Sequence, residues 1–150
     1  MSPKKVTGKS QWSDEEKAAM RERAQELKAE ARVSRNREEG EKAVFAALAA
    51  MQDSERAMAK KIHEIVKAAA PQLMPKTWYG MPAYANAEGK VVCFFQAGSK
   101  YGSRYCTFGL TDSAKLDEGN MWAAGFALVK ITSAEEAKIT ALVKKAAVQE

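Results

Sequence analysis

Few residues in this 150-residue chain have the types and spacing that chemistry requires. His63 is the single histidine. As a general base it would need a nucleophile or a substrate proton within hydrogen-bond reach, and no Gly-x-Ser-x-Gly or comparable signature accompanies it. No His-carboxylate cluster adjoins it in sequence, so it reads as a partly buried structural histidine, and the chain reads as a non-enzyme. The two cysteines, Cys93 and Cys106, form no Cys-x-x-Cys pair, which argues against a zinc module or disulfide scaffold. If a hairpin loop is centred on Ser99-Lys100, the two thiols face each other across neighbouring strands, as a redox switch would need. Free cysteine is nonetheless among the most buried residue types, and two packed thiols are expected.

Lys100, Tyr101, Arg104 and Tyr105 mix bases with aromatics as sites gripping single-stranded nucleic acid do. Strand alternation over this run would send the tyrosines to one face and the cations to the other, separating stacking from phosphate contact. Asp112, Asp117 and Glu118 supply hard oxygen ligands, but in an Asp/Gly/Asn-containing stretch that favours turns and caps. The most unusual segment is Trp78-Tyr-Gly-Met-Pro-Ala-Tyr84, three aromatics and a methionine around a glycine and a proline. It reads as a rigid turn sealing a sheet edge or as the wall of a pocket.

These residues need elements to hold them. Ser13-Asp-Glu-Glu16 is a capping box that opens a helix running to about Val33. Met20, Leu27 and Val33 give that helix only a thin apolar stripe, so it reads as a solvated extension. Glu22, Glu26 and Glu30 with Lys28 and Arg32 supply pairs three or four apart, each worth about 0.2 to 0.5 kcal/mol. Ser34 to Gly40 carries no apolar residue and reads as a linker, which divides the chain into residues 1–40 and a domain over residues 41–150. Val44, Leu48 and Met51 begin that domain with a short helical segment. Met58, Ile62, Ile65, Val66 and Ala69 then mark one face of a stronger helix closed by Pro71. After Pro75 the composition turns to strands: a short one near Tyr84 to Asn86, then Val91–Gln96, Arg104–Gly109 and Phe126–Ile131. Ser133-Ala-Glu-Glu136 reads as a second capping box, opening a terminal helix with Ile139, Leu142, Val143 and Ala146 on one face.

The size suits one α+β domain with a real core. The net charge of +5 comes from 24 basic and 19 acidic residues. Residues 1 to 42 hold eleven of the bases and nine of the acids, so neither part is a polycation, and the balance permits nucleic acid without arguing for it. The start lacks a secretory leader and no segment approaches a membrane span, so a cytoplasmic protein without a membrane partner is expected.

The Trp-x-Gly-Met-Pro-x-Tyr pattern resembles the YdhG-like proteins, a bacterial family of unknown function whose members are often named iron chaperones. The resemblance continues through Gly89-Lys-Val-Val-Cys-Phe-Phe95, Leu116-Asp-Glu-Gly, Met121-Trp122 and the final helix, covering about residues 53 to 148. It implies a frataxin-like architecture, a curved antiparallel sheet packed against N- and C-terminal helices, and a non-enzymatic iron-donor role with an iron-accepting protein as partner. Frataxins present an acidic first helix because iron prefers carboxylate oxygens. Here Asp53, Glu55 and Glu64 face Arg56, Lys60, Lys61 and Lys67, a potential that repels cations. The expectation is therefore a binding domain with no resident cofactor beyond weak iron, and with no metal ligands assigned. Its site is expected at Trp78, Tyr79, Met81, Pro82, Tyr84, Lys100, Arg104 and Trp122. The ligand is iron by resemblance, or a small anion held by Lys100 or Arg104 by composition. Nucleic-acid association through the charged extension is the alternative, and removing residues 1 to 40 separates the two.

Overall fold

Helix starts are set by the side chains that satisfy the first free N–H groups, and here two boxes do so. Ser13 and Glu16 exchange backbone-to-side-chain bonds of 2.8 and 3.1 Å at the start of α1, Asp14–Ala49. The computed structural model describes residues 12–148. α1 is followed by α2 (Asp53–Ala69), five strands, β1 (Met74–Trp78), β2 (Met81–Ala85), β3 (Val91–Gln96), β4 (Cys106–Leu110) and β5 (Gly125–Leu128), and α3 (Ser133–Ala146). The second box begins one residue earlier than its sequence pattern suggests. Thr132 is the cap of α3 and Glu135 its partner, because it is Thr132 that keeps extended backbone angles.

The expected linker is absent. Residues 34–40 continue α1 without a break, since they contain no proline and charged residues are good helix formers. The chain divides instead between Arg35 and Asn36 into two units. In the first, Met20 and Leu27 are half exposed, as a thin stripe requires, and Arg23 pairs with Glu26 at 3.2 Å. In the second, Gly40 is a packing residue. A Cβ there would lie 1.9 Å from the carbonyl oxygen of Pro75, so only glycine lets the helix approach the edge strand this closely. Arg37 adds a bond to the Leu73 carbonyl at 3.2 Å.

The five strands form one open antiparallel sheet in sequential order. β1 has no counterpart in the sequence reading, because Pro75 and Lys76 interrupt its apolar pattern. Proline is tolerated on an edge strand, where one side of the backbone needs no donor. Tyr79 and Gly80 make the two-residue turn joining β1 to β2, with φ of 52° and 78° and Trp78 opposite Met81. Positive φ at both positions is the turn whose twist matches a hairpin. Between β2 and β3 the register shifts at a bulge: Tyr84 pairs with Cys93 and Ala85 with Val91, which leaves Val92 as the extra residue between them.

The core lies on one face of the sheet. Tyr84, Cys93, Phe95, Phe108, Leu110 and Leu128 pack there against Val44 and Leu48 of α1, Met58, Ile62 and Val66 of α2, and Ile139 and Val143 of α3. No helix of the described residues is long and apolar enough to cross a membrane.

Candidate functional site

At one end of the sheet the helical layer leaves a cleft of about 450 Å³. Its apolar walls come from Met51 in the connection between α1 and α2, Pro82 of β2 and Phe95 of β3. The β1–β2 turn brings Gly80 to the cleft, and a 3₁₀ turn at Ser99–Tyr101 brings Lys100 and Tyr101. The Lys100 ammonium would stand 3.0 Å from a Cβ at Gly80, so the two connections meet at the rim. The carboxylate of Glu55, buried at the start of α2, also lines the cleft. It accepts the backbone N–H of Ser99 at 2.8 Å and its hydroxyl at 2.7 Å, which fixes the loop that carries Lys100. Arg56 beside it is committed to the carbonyls of Leu48 and Met51 and to Asp53. Lys100 has no carboxylate partner among the described residues; its ammonium sits 5.9 Å from the Tyr101 ring centre.

Of the eight residues expected at the site, Met81, Pro82 and Lys100 line this cleft. Trp78 lies on the face of the sheet away from the core, opposite Met81, and Tyr79 projects from the turn with 79% of its surface exposed. Arg104 stacks over Tyr105, 5.5 Å from the ring centre. Trp122 is in the β4–β5 connection, at the opposite end of the strands from Gly80 and Lys100. The separation of cations from tyrosines by strand alternation does not occur, because residues 99–101 are a 3₁₀ turn and β4 begins only at Cys106. Each cation covers the ring that follows it.

Tyr84 is buried beneath the sheet in a network the sequence concealed. Its hydroxyl is 2.8 Å from Nδ1 of His63, and Nε2 of His63 is 3.1 Å from Glu41, whose carboxylate also holds Lys67 at 3.0 Å. A carboxylate only accepts, so Nε2 bears the proton in the neutral ring and the Tyr84 hydroxyl donates to Nδ1. The Lys67 hydrogen bond is the largest influence holding the Glu41 carboxyl below its usual range, with His63 adding to it against the opposing effect of burial. Burial, then the neighbouring Cys93 and Glu41, pushes the Tyr84 hydroxyl far up, so it stays protonated. His63 and Tyr84 are 5% and 2% exposed, which closes this relay to substrates and makes it a polar brace between α1, α2 and β2. Spacing along the chain hides the partners: Glu41 and Tyr84 lie 22 and 21 residues from His63.

The cysteines do not meet. The β3–β4 register sets Cys93 against Leu110, not Cys106, because the hairpin is centred between residues 101 and 102. Burial pushes the Cys93 thiol up to about 12, and burial also raises Cys106, which donates to Glu55 at 3.8 Å. Asp112, Asp117 and Glu118 are exposed along the β4–β5 connection, and no group of three or more His, Cys, Asp or Glu among the described residues is placed to hold a metal ion.

Comparison with family models, curated proteins and solved structures finds no match to this chain.

Proposed function

We propose that this protein is a non-enzymatic binding domain whose ligand is a small molecule with an apolar body and one anionic group. The observation that carries the reading is Lys100, a cation without a carboxylate partner, held at the rim of an apolar cleft by the buried Glu55–Ser99 contact. Ligand sites combine apolar walls with a few placed polar groups in volumes of roughly 300 to 1,000 Å³, and this cleft fits that description. The resemblance of the Trp78–Tyr84 segment to YdhG-like proteins supports a binding rather than a catalytic role. The iron-handling version of that resemblance has less support here, since Glu55 is occupied by Ser99 and the other candidate carboxylates are dispersed.

Titration with straight-chain carboxylic acids of about six to ten carbons, sized to the cleft, and with their primary amides tests the reading by amide NMR. The acids should shift Gly80, Ala97, Ser99 and Tyr101 saturably. The amides, and the acids against Lys100→Met, should bind about tenfold more weakly, the loss of one charge-assisted contact. Equal binding of acids and amides would remove Lys100 and the anionic group from the reading, and shifts scattered over the surface would remove the cleft. Ferrous iron added anaerobically serves as the competing arm, and saturable line broadening near Asp112 to Glu118 would favour the iron reading instead.

A further inference from the structure

The face of the sheet away from the helices carries a separate set of residues. The register aligns Lys76, Ala83, Phe94, Gly109 and Gly125 in one row across all five strands, and alternation places Trp78 on the same face as Lys76. The buried helical residues cluster with the other face. The Phe94 ring lies over Gly109, where a Cβ would stand 2.2 Å from Cζ, so the glycine is what lets the ring lie against the sheet. Trp78 meets Phe94 at 5.3 Å between centroids, and Tyr79 meets Trp78 at 5.1 Å. Three rings thus run in sequence from the middle of the sheet to its end.

The last ring is placed at a cost. Tyr79 is the only non-glycine residue of positive φ among those described, at a turn position where asparagine or glycine would sit with less strain. A bulky residue held there and left exposed points to use rather than to stability.

Cations bracket the rings. Lys76 and Lys90 line a depression of about 480 Å³ that includes Trp78. Lys100 and Arg104 lie in the β3–β4 connection, at the same end of the sheet as the Tyr79 turn. Lys76, Lys100 and Arg104 have no carboxylate partner among the described residues, and the acids along the path are Glu88, 3.7 Å from Lys90, and Asp112.

We propose that this open face binds a single-stranded nucleic acid, with bases stacked on Phe94, Trp78 and Tyr79 and phosphates following the cations at either end. Aromatic rings on an antiparallel sheet accept unstacked bases of any sequence, and unpaired cations match a phosphate backbone and have no counterpart in an apolar peptide. Three rings set the footprint at about three bases.

The full-length protein, titrated against fluorescein-labelled ten-nucleotide oligo-dT, oligo-U and a duplex of equal length, tests this by anisotropy. Single strands should bind more tightly than the duplex. The slope of log K against log salt should be about −2, from three unpaired cations at roughly 0.7 each. Tyr79→Ser, an exposed turn change that leaves the core intact, should weaken binding about tenfold or more. Lys76→Glu and Arg104→Glu should each lower both affinity and salt slope, while Lys145→Glu on α3 should do neither. Absence of salt-sensitive binding, equal affinity for the duplex, or an equal effect of Lys145→Glu would overturn the proposal.

Discussion

The hydroxyl of Tyr84 and Nδ1 of His63 lie 2.8 Å apart, joining the second strand to the second helix through a bond that water does not reach. Removing the hydroxyl while keeping the ring isolates its contribution. Tyr84→Phe leaves a buried acceptor unmet and should cost about 1 to 3 kcal/mol. Urea denaturation measures it, and a change below a few tenths would mean that the bond contributes nothing net.

The other end of the same brace gives a pH dependence. A carboxyl whose folded pKa is depressed contributes stability above its unfolded value, about 4.3 for glutamate, and loses it as pH falls through the folded value. Wild type should therefore lose stability across that acidic window more steeply than Glu41→Gln. Urea midpoints at a series of pH values compare the two, and parallel curves would show that Glu41 is not linked to folding.

Gly40 lies in a helix interior, where alanine usually gains about 1 kcal/mol. Gly40→Ala should do the reverse, by about 1 to 3 kcal/mol, because the new methyl meets the Pro75 carbonyl. Glu39→Ala, one residue earlier and exposed, should stay within about 0.5 kcal/mol of wild type. The same contact governs truncation. Deleting residues 1–35 should spare the melting temperature of the sheet domain, whereas deleting 1–40 removes Arg37 and Gly40 and should lower it.

Relief of the turn strain should be measurable. Tyr79→Asn replaces a strained residue with one suited to a left-handed position and should stabilise the protein by about 1 kcal/mol while impairing the open face. A loss of stability would mean that the Trp78 contact outweighs the strain.

The parts legible in the sequence are those where one local signal suffices. The Ser13 box, the apolar face of α2 and the run Val91–Gln96 appear where their patterns place them. The α+β arrangement of helices and an antiparallel sheet follows from the same patterns. What was illegible depends on contacts between distant segments. Gly40 carries the composition of a linker and the function of a packing surface, and only the position of Pro75 distinguishes them. β1 was hidden by its proline, and the Tyr79-Gly80 turn by a tyrosine where asparagine is customary. At the candidate site, Met81, Pro82 and Lys100 converge, but in the sequence Glu55 is only one acid among several in a helix. Its role in fixing the Lys100 loop arises from Ser99, 44 residues away.

The sequential order of the strands also governs how the chain assembles during synthesis. Each strand pairs with the one made just before it, so the sheet is built from local hairpins and waits for no late partner. The exception is α3, which alone of the described elements emerges after the sheet is complete and covers part of its inner face with Ile139, Val143 and Ala146. Until those residues leave the ribosome, apolar surface stays open, and the nascent domain is most prone to aggregation in the interval between the completion of β5 and the emergence of α3.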